Sequence, residues 1–146
     1  MTETTSAVDT TANARTVETF LYALQDEDFD TAESKLADNI QWQNVGMPTI
    51  RGRDRIIKIF RSGQGRMGFE VKIHRIAAEG NAVLTERTDA LIFGPLRLQF
   101  WVCGTFEIHD GRITLWRDYL DFFDFFVKAP LRGLAAIVVP SLRQSF

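Results

Sequence analysis

The sequence predicts an α+β domain: helices first, then a meander of antiparallel strands that curves over them, so that the helices lie on its concave side. Two observations carry this. Near the start, Val17, Phe20, Leu21 and Leu24 recur at the spacing of one helix face. From Phe69 onward, apolar and polar residues alternate with a period of two, and the runs are broken by Glu79-Gly80-Asn81, Gly94-Pro95 and Asp110-Gly111. A sheet wrapped over helices in this way makes a closed-ended cone with an apolar pocket.

With 146 residues, the chain is long enough for one domain with a substantial core. Residues 1–10 are expected to be a flexible, Thr-rich tail and residues 11–146 the domain. The opening MTETTSAVDTTANA has neither a basic region nor an apolar run, so no signal peptide is read there and a cytoplasmic location is expected. The first helix is expected over 12–25, with Thr10 or Thr11 as N-cap, and a short second helix over 31–36. IQWQN, 40–44, reads as a strand and MPTIRG as a loop. A third helix spans 54–61, with Ile56, Ile57 and Phe60 on one side. Phe69, Val71 and Ile73 then alternate with Glu70, Lys72 and His74. Leu98, Phe100, Val102, Gly104, Phe106 and Ile108 form a long alternating face, and 113–120 is the last strand. DFFDFFVK and LRGLAAIV read as one or two helical segments around Pro130.

Composition narrows the function. A formal net charge of −2 gives no electrostatic reason to expect nucleic acid. The single cysteine, Cys103, excludes an internal disulfide and, lying in a strand, reads as a buried, inert thiol. His74 and His109 have no metal-ligand spacing with each other or with Cys103, so a zinc site is not expected; no other cofactor is expected either. No apolar run is long enough to cross a bilayer. Twelve phenylalanines point to a bulky apolar interior.

The stretch TERTDALIF, 85–93, breaks the apolar pattern. In a strand, Arg87 and Asp89 share a face with Val83, Leu91 and Phe93. Buried charge costs several kcal/mol unless it is paired, and a guanidinium, a fork of five donors, can serve two carboxylates at once. In ITLWRDYLD the second inward carboxylate is Asp118, on one face with Trp116 and Leu120, whereas Arg117 and Tyr119 face the other way. Asp121 and Asp124 are expected to cap the following helix or face solvent. Pattern alone leaves two readings equal: a catalytic Asp–Arg–Asp cluster, or an architectural strut that fixes strand register. The neighbours have bland readings. Trp101 and Trp116 are core or interface aromatics, Arg51, Arg53 and Arg55 are a solvated helix start, and Glu86 is exposed or paired across the sheet.

IQWQN, LTERTD, GRITLWRDYLD and PLRG, in this order, resemble the limonene-1,2-epoxide hydrolase family over residues 12–133. The resemblance implies a cystatin-like (NTF2-like) cone, a curved six-stranded mixed sheet packed on N-terminal helices. It also implies a homodimer and a role in lipid metabolism or detoxification. By the same resemblance Asp118 matches a general base, Arg87 a bridging arginine, Asp89 a general acid and Asn44 a water-holding amide. Trp42 stands where the family type sequence has tyrosine. An indole N–H donates but does not accept, so Trp42 either gives the water one bond or only shapes the pocket.

The implied reaction adds water to an epoxide to give a vicinal diol, without a metal or a covalent intermediate. Val71, Leu91, Phe100, Val102, Leu120 and Phe125, chosen by strand parity and nearness to the cluster, are the expected pocket lining. They offer few polar anchors, so a lipophilic epoxide is expected, of fatty-acyl, terpenoid or sterol type. Alternatives on the same fold are a ketosteroid-isomerase-like or polyketide-cyclase-like enzyme and a non-catalytic lipid-binding or dimerisation module. An isomerase would need a tyrosine-type donor near its base, and Tyr119 points away from Asp118 by parity.

Overall fold

The computed structural model describes residues 9–146. The expected tail therefore lies outside the described residues except for its last two, and these already belong to the first helix and its cap. Helix α1 (Thr10–Gln25) is capped by Asp9, whose carboxylate accepts from the Ala12 N–H, so it starts earlier than a Thr10 or Thr11 cap would allow. Helix α2 (Phe29–Ser34) is likewise set by Asp28, which accepts from both the N–H and the hydroxyl of Thr31. Leu36 thereby opens strand β1 (Leu36–Asn44) rather than closing a helix. Within the expected loop lies a two-residue strand, β2 (Ile50–Arg51), antiparallel to β1. Helix α3 (Arg53–Ser62) follows.

The meander comprises β3 (Gly68–Glu79), β4 (Ala82–Phe93), β5 (Leu96–His109) and β6 (Arg112–Tyr119). Asp110 and Gly111, at φ 52° and 77°, form the tight hairpin that Asp-Gly signals, because a primed turn needs both residues left-handed. The sheet order is β2-β1-β6-β5-β4-β3, with β1 and β6 parallel and every other pair antiparallel. The fold is thus α+β with a six-stranded mixed sheet, and an all-antiparallel meander is corrected by β1. The sheet is not closed: β2 and β3 are its edges.

The core lies between α1 and the concave face. Val17, Phe20, Leu21 and Leu24 pack with Leu36, Ile40, Val71, Val83, Phe106 and Trp116. Phe20 is fully buried and edge-on to Trp116, with ring centroids 5.1 Å apart; truncating such a side chain to alanine costs about 3–5 kcal/mol. Trp101, by contrast, is exposed on the convex face, stacked on His74.

β6 ends opposite Cys103, so the first half of β5 has no strand partner on that side among the described residues. The C-terminal segment covers it. A π-helical turn (Asp124–Lys128) runs directly into α4 (Ala129–Val138), with the Ala129 N–H bonded to the Asp124 carbonyl five residues back. Pro130 sits in the first turn of α4, where its missing N–H costs little. Gly133 lets α4 close onto β5, since a Cβ there would lie 2.6 Å from the Arg97 carbonyl oxygen. Asp121 caps this segment through the N–H groups of Phe123 and Asp124.

Cys103 and Asp124 depart from their expected settings. Cys103 is exposed, not buried, because it shares strand parity with Trp101 on the convex face. Asp124 does not cap the segment and is only 24% exposed, because Arg132 grips it at 2.8 and 3.1 Å. No helix among the described residues is long and apolar enough to cross a membrane.

Candidate active site

Among the described residues Arg87 is the largest fully buried side chain, with 0% exposure. It starts on β4, and its guanidinium crosses over β5 to reach Asp118 on β6. Its Nε donates to Asp89 Oδ1 at 2.9 Å and its Nη2 to Asp89 Oδ2 at 3.1 Å. The same Nη2 donates to Asp118 Oδ2 at 2.6 Å. On the far side, Nη1 donates to the Thr85 hydroxyl at 3.1 Å. Strand parity accounts for Thr85, Arg87 and Asp89 on one face. The β4–β5–β6 register brings in Asp118, since Thr85 and Asp118 both pair with Gly104 from opposite sides.

Electrostatics separates the members. Burial pushes the Asp89 carboxyl up to about 6, against the lowering pull of Arg87. Burial alone would depress the Arg87 guanidinium, but Asp118 and Asp89 outweigh it and hold it above its ordinary value. Arg87 therefore stays cationic beside a carboxyl that keeps its proton to a higher pH than an ordinary aspartate. Asp118 Oδ1 and the Trp42 indole N–H are both buried without a hydrogen-bond partner among the described residues.

Asp89 and Asp118 form part of the wall of a largely apolar cavity of about 360 Å³. Asn44 and Trp42 line the same cavity from β1. The parallel register pairs Asn44 with Asp118 and Trp42 with Trp116, and the two indoles stack at 4.7 Å. Leu91, Phe100, Val102, Leu120 and Phe125 also line it, with Phe125 edge-on to Phe100 at 4.7 Å. Val71 does not. It pairs with Asp89 and shares its face, yet α1 lies over β3 there, so Val71 is core, and its N–H is bonded to the Gln25 side chain. Arg87 lies behind the wall rather than in it. Among the described residues, no group of three or more His, Cys, Asp or Glu side chains is gathered to hold a metal ion.

Sequence reasoning missed Thr85 and Gly104. Gly104 carried a signal, because a glycine inside a strand often marks a close approach. It also missed Met47, Phe122 and Phe126 at the cavity, which come from a loop and from a helical turn where strand parity gives no guidance.

The chain is similar to known epoxide hydrolases. Residues 11–132 match the limonene-1,2-epoxide hydrolase catalytic domain. Epoxide hydrolase EphG of Mycobacterium tuberculosis (strain ATCC 25618 / H37Rv) is 64% identical over 129 residues, which are 88% of this chain and 86% of EphG. A solved M. tuberculosis LEH-like epoxide hydrolase superposes with a TM-score of 0.91 at 62% identity, covering 94% of this chain and 98% of its own. A proposed ketosteroid isomerase from Kribbella flavida DSM 17836 superposes with a TM-score of 0.66 at 16% identity over 78% of this chain and 81% of its own. That likeness extends to the fold alone, which is NTF2-like.

Proposed function

The chain belongs to the limonene-1,2-epoxide hydrolase family and is an epoxide hydrolase of that type; from this premise we propose that it opens lipophilic epoxides in one step, by general acid/base catalysis through Asp118, Arg87 and Asp89. Asp118, ionised, takes a proton from water as the water oxygen bonds to an epoxide carbon. The carbon–oxygen bond breaks in the same step, and protonated Asp89 gives its proton to the departing oxygen. The product is a vicinal diol. Asp118 ends protonated and Asp89 ionised, and one proton exchanged with solvent at each resets the pair.

Each role has a physical basis. An alkoxide is a poor leaving group, so the acid must be neutral when it acts, and burial pushes the Asp89 carboxyl up to about 6. Arg87 stabilises the anionic base and then the acid as it becomes charged. Each proton transfer is worth about 10²–10⁴ in rate, and ring strain supplies part of the driving force. Asn44 and the Trp42 N–H hold the water against Asp118. Trp42 supplies one donor bond, and its partnerless N–H and the partnerless Asp118 Oδ1 are the unpaired groups such a water would satisfy.

The observation that carries the reading is the fully buried guanidinium between two carboxylates that both border one apolar cavity. The apolar wall favours a fatty-acyl, terpenoid or sterol epoxide. The isomerase alternative is weakened because Tyr119 is exposed on the opposite face. A cytoplasmic homodimer is retained as part of the proposal. Leu84, Trp101 and Tyr119, exposed on the convex face, offer it apolar surface, and light scattering should give the mass of two chains.

The test is turnover of a panel of lipophilic epoxides, with diols read by mass spectrometry. A single turnover in ¹⁸O-labelled water should put the label directly into the diol, and chelator should leave the rate unchanged. Unlabelled diol in the first turnover would indicate an enzyme ester and overturn direct attack.

A further inference from the structure

Resting on that catalytic reading, we propose that Thr85 and Gly104 are positioning residues that seat the Arg87 guanidinium so that it reaches across β5 to Asp118. β4 and β6 are not neighbours in the sheet; β5 lies between them. A side chain from β4 can meet one from β6 only by passing over β5, and Arg87 passes at position 104. A Cβ at Gly104 would run into Arg87 Nη1 and would stand 2.8 Å from Asp118 Oδ1 and 2.9 Å from Thr85 Oγ1. Gly104 has no left-handed backbone to explain it. Its requirement is room.

Thr85 supplies the other half of the seat. Arg87 makes four hydrogen bonds to side chains, three to the two carboxylates and one to the Thr85 hydroxyl. That hydroxyl also lies 3.5 Å from the Gly104 carbonyl oxygen, its acceptor, and is buried. The Nη1 contact anchors the end of the fork opposite Asp118. Without it, the guanidinium is tied on the Asp89 side by two bonds and on the Asp118 side by one, and it can tilt toward Asp89. A tilt lengthens the single bond to the base and leaves a buried N–H without an acceptor. Thr85 does not border the cavity, so it acts on the reaction only through Arg87.

The experiment compares Thr85→Val, Thr85→Ser and Gly104→Ala with wild type, using the epoxide on which wild type forms diol, with thermal midpoints recorded alongside. Thr85→Val keeps the shape and removes the hydroxyl; kcat should fall about tenfold or more while KM stays within about twofold, the pattern of an interaction used in the transition state. Thr85→Ser restores the hydroxyl and should recover most of kcat. Gly104→Ala should lower kcat at least as far, because its methyl group takes the space of Nη1. Wild-type kcat in Thr85→Val, or an equal loss in Thr85→Ser, overturns the role of the hydroxyl; wild-type kcat in a folded Gly104→Ala overturns the role of the gap. If Gly104→Ala does not fold, the two Thr85 variants decide. Asp118→Asn in the same assay separates the layers: if it keeps wild-type activity the catalytic reading itself fails, whereas if it is inactive while Thr85→Val is normal, only the seat fails.

Discussion

Arg87 and Arg132 are both paired with aspartate, one beneath the cavity on β4 and the other on α4 at the unpartnered stretch of β5. Their hydrogen bonds are alike in length: Arg87 holds Asp89 at 2.9 and 3.1 Å, and Arg132 holds Asp124 at 2.8 and 3.1 Å. Burial differs. The Arg87 side chain is 0% exposed and that of Asp89 6%, against 36% for Arg132 and 24% for Asp124. The carboxyls respond in opposite directions. Arg132 holds Asp124 below its ordinary value, chiefly through its hydrogen bonds, whereas burial raises Asp89 to about 6 despite an equally close arginine. Pairing with arginine does not by itself make a carboxylate a base or an acid; the surrounding dielectric decides. The outer pair fastens the C-terminal helix, with Arg132 also donating to the Gln99 carbonyl at 2.8 Å. The inner cluster opens on a cavity.

That contrast is sharpest in Asp118→Asn. Diol formation should fall by about 10²–10⁴-fold with a small change in thermal midpoint, and activity within tenfold of wild type would make the inner cluster a strut like the outer one. Next in size is Arg87→Met, which strands two carboxyls without their cation. A loss of about 3–5 kcal/mol in urea unfolding is expected near neutral pH, smaller in acid, where protonation removes the uncompensated charge.

The third effect is one of pH. Asp89 is raised from an ordinary 3.8 to about 6, so the folded state holds its proton more tightly than the unfolded chain does. Its contribution to stability is therefore fully present below about 3.8 and is lost as pH rises through about 6. The difference between wild type and Asp89→Asn unfolding should follow that window. As the general acid, Asp89 should also give kcat/KM a basic limb that falls above about 6; a profile flat from acid to neutral would break the assignment. The smallest effect belongs to Arg132→Ala, with about 1 kcal/mol of stability lost and diol formation unchanged.

Much of this was legible beforehand. Strand parity singled out Arg87, Asp89 and Asp118, and Leu91, Phe100, Val102, Leu120 and Phe125 do border the cavity. Parity misled at Val71, because sharing a face with Asp89 says nothing of which helix covers that face. At Cys103 a place in a strand does not by itself mean burial, because the residue points to the convex face. Asp124 departs because its partner, Arg132, lies eight residues farther on, beyond a π-helical turn, where local spacing does not signal the contact.

By itself, the sequence determined the order of elements, the α+β class and the shared face of the three charged residues, since backbone alternation and helical period are local properties of the chain. Only the tertiary structure decided that β1 joins β6 in parallel, that α1 fills one part of the concave face and leaves another open, and that Arg87 crosses β5 over a glycine. Those outcomes depend on which distant segments pair and on how their side chains share space, and no local pattern encodes either.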